Sequence, residues 1–163
     1  MRIAAWVALV AVLCVLNPLA TPAHAAPPTC GVNLSAPEVQ AAITSLPALP
    51  QNYPWSTNPK SFDPSSNYNP CLTLSAVIIT VDGATGGSPD LALLFHKGSF
   101  VGVGTSKAYP FTSLNGAQTT DDIVALNYKD GRNVCTACTG PTTTVRYQWQ
   151  NDHVAMLDPA PTW

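Results

Sequence analysis

The cysteines, histidines and acidic pairs are the residues here whose types could do chemistry, and their spacing excludes most of it. Cys135-Thr136-Ala137-Cys138 has the two-residue gap of a zinc half-site or of a thiol–disulfide exchange centre. A structural zinc site needs a second pair with that spacing, and the chain has none. A redox centre wants its first cysteine at a helix start after a strand, whereas Gly140-Pro141 follows here as a turn. The pair therefore reads as a structural disulfide. His96 and His153 flank hairpin turns, and neither has a second histidine or a carboxylate at metal-ligand spacing. His153 follows Asp152 directly, but strand neighbours point to opposite faces. Ser88 in Gly86-Gly87-Ser88-Pro89-Asp90 lacks the last glycine of a nucleophile elbow. No Ser-x-x-Lys occurs. Asp121-Asp122 diverge at a strand start and read as a solubility pair. The glycine-rich run Asp82–Pro89 lacks the Gly-Lys-Ser/Thr ending of a phosphate loop, and no helical pattern follows, so it reads as a connector. No catalytic, cofactor or metal motif emerges, and enzymatic activity is not expected.

The elements that hold these residues begin with an export signal over residues 1–25. Arg2 supplies the positive start, Ile3 to Leu16 the apolar run, and Ala23-His24-Ala25 the small-x-small cleavage pattern, so that Ala26 becomes the first mature residue. The apolar run is short of the roughly 20 residues that span a bilayer. No second such run exists, so no transmembrane helix is expected in the mature chain. A lipid-accepting cysteine would follow small residues at the end of the apolar run. Cys14 lies inside the run and Cys30 follows Pro27-Pro28-Thr29, so no lipid anchor is expected either.

Residues 26–163 suit one domain. Six Lys/Arg stand against nine Asp/Glu there, a net charge of −3, and no basic patch is visible. That argues against nucleic acid and against anionic lipid surfaces as partners. Four cysteines remain, Cys30, Cys71, Cys135 and Cys138, an even count that in an exported chain reads as two disulfides. Three pairings are possible. Cys135 and Cys138 share one loop, which leaves Cys30 with Cys71 to close the segment between them.

Residues 30–71 read as a helix plus a strap. Ser35-Ala36-Pro37-Glu38 resembles a capping box, and Val39, Ala42, Ile43 and Leu46 fall on one helical face before Pro47 stops it. Six prolines between 47 and 70 forbid regular structure. Tyr53, Trp55, Phe62 and Tyr68 are spaced through this strap, either as anchors that hold it to the domain or as an exposed aromatic partner surface.

Residues 72–158 read as an antiparallel β region. Leu72–Val81 is apolar on both sides near its end, like a central strand. Leu91–His96 and Ser99–Thr105 form a hairpin about Lys97-Gly98, which sets Phe95 opposite Phe100, Leu93 opposite Gly102 and Leu91 opposite Gly104. Large side chains facing glycines predict another element packed over Gly102 and Gly104, and Tyr109-Pro110-Phe111 could supply it. Ile123–Lys129 follows. Thr143–Gln150 alternates cleanly, and a two-residue turn at Asn151-Asp152 sets Trp149 opposite Val154 and Tyr147 opposite Met156. The expected class is α+β, mainly β: an antiparallel sheet of about six strands with one short N-terminal helix, a strand-only sandwich being the alternative.

Several blocks within this pattern resemble a known family. Leu74-Ser75-Ala76-Val77-Ile78-Ile79-Thr80-Val81, Gly83-Ala84-Thr85-Gly86, Ala92-Leu93-Leu94-Phe95-His96-Lys97-Gly98, Thr119-Thr120-Asp121-Asp122, Cys135-Thr136-Ala137-Cys138 and Val145-Arg146-Tyr147-Gln148-Trp149 together resemble the LppP/LprE lipoproteins of actinobacterial cell envelopes. The resemblance implies a secreted or envelope location and brings no catalytic residues. The expected function is a non-enzymatic envelope or secreted module that binds an envelope or extracellular partner, a protein, glycan or lipid. The alternative is a carrier of an apolar ligand, which predicts an internal cavity of several hundred Å³ between sheet and helix.

Overall fold

The structure, a computed structural model, describes residues 29–50 and 53–163. The export signal expected over 1–25 lies outside the described residues. The first element is α1 (Pro37–Ser45), which buries Val39, Ala42 and Ile43. Pro37 sits in the first turn, where its missing N–H costs nothing. The expected capping box does not form. Ala36 is the N-cap and carries no side-chain cap, because Asn33 Oδ1 already takes the Ser35 amide at 3.1 Å, one turn earlier. The chain leaves α1 at Leu46 in extended conformation, as a residue before proline must.

Seven strands follow: β1 (Ser75–Thr80), β2 (Asp90–His96), β3 (Ser99–Val103), β4 (Thr112–Leu114), β5 (Ile123–Lys129), β6 (Thr142–Gln150) and β7 (His153–Met156). They form not one sheet but two antiparallel ones, ordered β1-β2-β3 and β4-β5-β6-β7. The fold is thus mainly β with one helix, built as a two-sheet sandwich with the helix and strap outside it. Leu74, Ala76, Ile78, Ala92 and Leu94 of the first sheet face Val124, Leu126, Tyr128, Val145 and Tyr147 of the second. The alternate residues Val77, Ile79, Leu91, Leu93 and Phe95 face α1 and the strap. The first sheet is therefore the middle of three layers, which is why β1 reads as apolar on both sides.

β1 lies at the edge of its sheet in hydrogen bonding, and the proline-rich strap covers that edge. The strap amides of Ser56, Asp63 and Asn67 donate to the carbonyls of Thr80, Ile78 and Ala76 at 2.8, 2.9 and 2.9 Å. In return, the Ala76 and Ile78 amides donate to Asn67 Oδ1 (2.8 Å) and Ser66 Oγ (2.9 Å). Side chains stand in for the carbonyls that a regular strand would offer, since prolines deny the strap a ladder of its own. An open edge, which invites pairing with other chains, is closed by this means.

The hairpin at Asn151-Asp152 has the register read from sequence, with Trp149 opposite Val154 and Tyr147 opposite Met156. The β2–β3 hairpin begins as read, with Phe95 opposite Phe100, and then slips by one residue, so that Leu94 faces Gly102 and Leu93 faces Val103. The cause is a β-bulge. Gly102 takes φ +136° there and has open space around it, so it is glycine for its backbone and not for close packing. Gly104 does have the predicted close neighbours, but they come from the second sheet and not from Tyr109-Pro110-Phe111. A Cβ there would lie 3.2 Å from Leu126 Cδ1, 3.3 Å from the Tyr128 hydroxyl and 3.4 Å from the Tyr147 hydroxyl. Those two hydroxyls are buried and bonded to each other at 3.0 Å. Gly104→Ala should cost about 1 kcal/mol and Gly104→Val about 3 kcal/mol by overpacking, measured by urea unfolding; equal stability of both variants and the parent would refute the tight fit.

Candidate functional site

Where the two sheets part, beside the end of β1 and the start of β2, lies an open cleft of about 500 Å³ with mixed polar and apolar walls. Its walls come from segments far apart in sequence: Asp63 of the strap, Thr80 and Asp90 of the first sheet, Phe111 to Ser113, Asn127 and Lys129 of β5, and the loop Ala84–Ser88. Thr80 and Asp90 are cross-strand partners, and the Thr80 hydroxyl donates to the Pro89 carbonyl at 3.1 Å.

Asp90 organises the floor. Its Oδ2 accepts the Thr112 amide at 3.2 Å, and the Thr112 hydroxyl donates to the Tyr109 carbonyl at 2.8 Å. Together these bonds hold the turn that contains Phe111, which adopts φ +59°. A bulky side chain in that region costs roughly 1–2 kcal/mol, and such strain persists only where the surroundings impose it. The Phe111 ring carries Lys129 Nζ 4.2 Å from its centroid and lies so close to Gly131 that no Cβ fits there. Lys129 Nζ in turn donates to the Thr136 and Cys138 carbonyls at 2.8 and 3.1 Å. The Cys135–Cys138 loop is thereby tied to the cleft wall. Gly86 of the cleft wall meets Thr136 with no room for a Cβ, so the glycine-rich loop touches the Cys135–Cys138 loop.

Burial pushes the Asp90 carboxyl up to about 6, the Asp63 charge adding to it and the Thr112 amide opposing it. The neutral form thus persists to higher pH in the folded protein than in the unfolded chain. The folded state binds more protons than the unfolded one between the two pKa values, so stability falls as pH rises from about 4 to about 6. Asp90→Asn keeps an acceptor for the Thr112 amide and removes that dependence. Thermal melts from pH 4 to 7 should show a flatter profile for Asp90→Asn than for the parent, and parallel profiles would contradict the assignment.

The residues singled out from sequence are distributed differently. Cys30–Cys71 and Cys135–Cys138 are bonded as read, with Cα separations of 5.4 and 5.0 Å. Of the four strap aromatics, Trp55, Phe62 and Tyr68 are buried, and only Tyr53 stands exposed, at 54%. Trp55 Nε1 donates to the Pro47 carbonyl at 3.1 Å. The four rings therefore form no common surface; three are anchors, because the strap must bury apolar area to stay on β1. His96 is half-buried, stacked on Trp149 of the second sheet at 3.8 Å, with Nδ1 2.6 Å from the Thr73 carbonyl. It ties the sheets together and is not a free turn residue. His153 does reach Asp152 Oδ1, at 3.1 Å on the exposed surface, because Asp152 belongs to the turn and escapes strand alternation. An apolar hollow between the segment that follows α1 and the first sheet, lined by Leu46, Trp55, Leu91 and Val103, measures about 200 Å³. That is less than a carrier's ligand needs. Among the described residues, no three His, Cys, Asp or Glu side chains gather as a metal site, and no helix is long and apolar enough to cross a membrane.

Sequence reasoning did not find the cleft, and treated its glycine-rich wall as a connector. Asp90 carries no local signal, since its role depends on Thr112 and Asp63, which only the fold brings near.

A family profile described as LppP/LprE lipoprotein matches residues 66–152, a range that holds β1 to β6 and every cleft residue named above except Asp63. The chain is 36% identical over 144 residues to a protein of Mycobacterium leprae named as lipoprotein LprE, covering 83% of this chain and 66% of that one. Proteins of the same name from Mycobacterium bovis and Mycobacterium tuberculosis are each 33% identical over 129 residues, 78% of this chain and 58% of theirs. The chain thus spans about three fifths to two thirds of the length of the curated relatives it matches. No solved structure matches it significantly. The agreement over β1 to β6 and over most of the chain's length shows that the chain belongs to the LppP/LprE lipoprotein family.

Proposed function

We propose that this protein is an exported module of the cell envelope that binds a ligand without transforming it, and that the open cleft between the sheets is its ligand site. Membership of a lipoprotein family supports the location, as do two disulfides, which persist in oxidising compartments. The observation that carries the binding reading is Asp90. A half-buried carboxyl with a raised pKa, close to a second carboxylate in an open cleft, is costly to keep and marks a site. The cleft walls hold carboxyl, hydroxyl, amide and ammonium groups, and no histidine or thiol among the described residues. Lys129, the one ammonium, is committed to two carbonyls.

Two measurements test this reading. Intact mass spectrometry of the natively exported protein should give a chain starting near Ala26, unlipidated, with two disulfides; free thiols or a retained leader would overturn the exported location. Amide-resolved NMR of the labelled protein, titrated with pools of small polar compounds, should move resonances at residues 84–88 and 111–113. Shifts confined to other surfaces would overturn the cleft as the site. Chemical conversion of a bound compound would overturn the binding-only reading.

A further inference from the structure

We infer that Asn115 is a site of spontaneous deamidation, and that the carboxylate formed there turns over the Asn127 carboxamide in the cleft wall. Asn115 is the one asparagine of the chain that precedes a glycine. It follows β4, and its amide donates to the Ala125 carbonyl at 2.8 Å. Its own carbonyl holds the turn that comes next. That oxygen accepts the Gln118 amide at 3.2 Å, the Thr119 amide at 3.1 Å and the Thr119 hydroxyl at 2.9 Å. The carbonyl belongs to the same peptide unit as the Gly116 nitrogen. When that nitrogen loses its proton, negative charge spreads onto the carbonyl oxygen, where three donors stabilise it. Gly116 is exposed, with open space where a Cβ would stand, so no neighbour crowds the turn. The Asn115 side chain is loosely held: its Nδ2 donates to Asn127 Oδ1 at 3.3 Å, just past the usual range for an N–H···O bond.

The deprotonated Gly116 nitrogen attacks Asn115 Cγ. A bond from that nitrogen to Cγ forms and the Cγ–Nδ2 bond breaks. Nδ2 leaves as ammonia, carrying the proton that Gly116 gave up. Water then opens the cyclic imide at either of its carbonyls, giving aspartate or isoaspartate at position 115. Either product exchanges a neutral carboxamide for a carboxylate, which has no proton to donate. Asn127 Oδ1 thereby loses one of its two donors, the other being the Thr144 hydroxyl at 2.7 Å. With aspartate at 115 it also faces a second acceptor. Turning the Asn127 carboxamide over resolves the conflict, since Nδ2 then donates to the new carboxylate and the Thr144 hydroxyl is released. Asn127 lines the cleft, so the exchange changes the hydrogen-bonding groups of its wall. The strand ladder is spared, because Asn127 keeps its backbone pairing with Ser113 and Thr144.

The test is ageing of the whole exported protein in mildly alkaline buffer, read by mass mapping of the tryptic peptide 108–129, which holds both Asn115 and Asn127. Asn115 should convert at least tenfold faster than Asn127, to a mixture of aspartate and isoaspartate, and within tenfold of the rate in a free peptide of residues 112–120. Gly116→Ala should slow the conversion tenfold or more with native NMR dispersion retained, because Gly116 has an ordinary φ and room for a methyl group. Asn115→Asp, which needs no ageing, should move the Asn127 side-chain amide and Thr144 resonances. Faster conversion at another asparagine, or a folded rate more than tenfold below that of the peptide, would overturn the site. Equal rates for the parent and Gly116→Ala would overturn attack by the Gly116 nitrogen. An unmoved Asn127 side-chain amide in Asn115→Asp would overturn the coupling to the cleft wall.

Discussion

Replacing Cys30 and Cys71 by serine lowers the unfolding free energy by about 4 kcal/mol, whereas the same change at Cys135 and Cys138 lowers it by about 2 kcal/mol. The difference follows from the closed loops. Cys30–Cys71 joins residues 41 apart and Cys135–Cys138 residues 3 apart, and the longer loop removes more freedom from the unfolded chain. What lies inside the longer loop sharpens the expectation. It holds α1, which is only nine residues long, and a strap whose amides reach β1 at Thr80, Ile78 and Ala76 and whose internal backbone bonds are short local turns. Neither has enough internal structure to persist alone. Loss of the bridge should therefore free both and uncover the β1 edge, so the Cys30/Cys71 variant should also aggregate more readily. Urea unfolding of the two double variants measures the first effect and light scattering the second. Equal midpoints for the two variants would sink the loop argument.

Tyr68→Ala should cost about 3–5 kcal/mol, the range for truncating a large buried aromatic residue. Tyr68 is 1% exposed and meets the Phe95 ring edge-on, with centroids 4.8 Å apart. It is the last ring of the strap before Cys71 and pins the strap to β2, while the Asn33 amide donates to its carbonyl at 3.1 Å. Its hydroxyl lies 3.3 Å from Glu38 Oε2 and 3.4 Å from the Gly98 carbonyl, both long for O–H···O bonds. Tyr68→Phe should accordingly cost less than about 1 kcal/mol. The ring and not the hydroxyl carries the anchor. A comparable loss for Tyr68→Phe and Tyr68→Ala would show the opposite. Tyr53→Ala serves as the reference: its ring is exposed, and its stability should stay within about 0.5 kcal/mol of the parent.

The same contrast explains why the strap aromatics were ambiguous in sequence. Nothing in the spacing of Tyr53, Trp55, Phe62 and Tyr68 tells an anchor from a displayed ring. A proline-rich segment has no period, so it has no inward and outward face to read. Only the docking of the strap on β1 assigns the sides. The pairing of the four cysteines was legible for a different reason, since chain connectivity alone makes Cys135 and Cys138 near neighbours. The β6–β7 register was legible because a two-residue turn and strict alternation agree on one answer.

By itself the chain's order of residues determined the mainly β class, the helix before Pro47, both disulfides, the strap and most strand positions, because each depends on neighbours in sequence. Tertiary structure alone decided the split into two sheets, the bulge at Gly102, the three-residue strand β4 and the cleft. A bulge is a backbone choice that the residue pattern does not display, and a strand of three residues is too short for alternation to register. The cleft gathers Asp63, Asp90, Phe111 and Lys129 from four separate segments. Its chemistry lies in their proximity, and proximity between distant residues is a property of the folded chain alone.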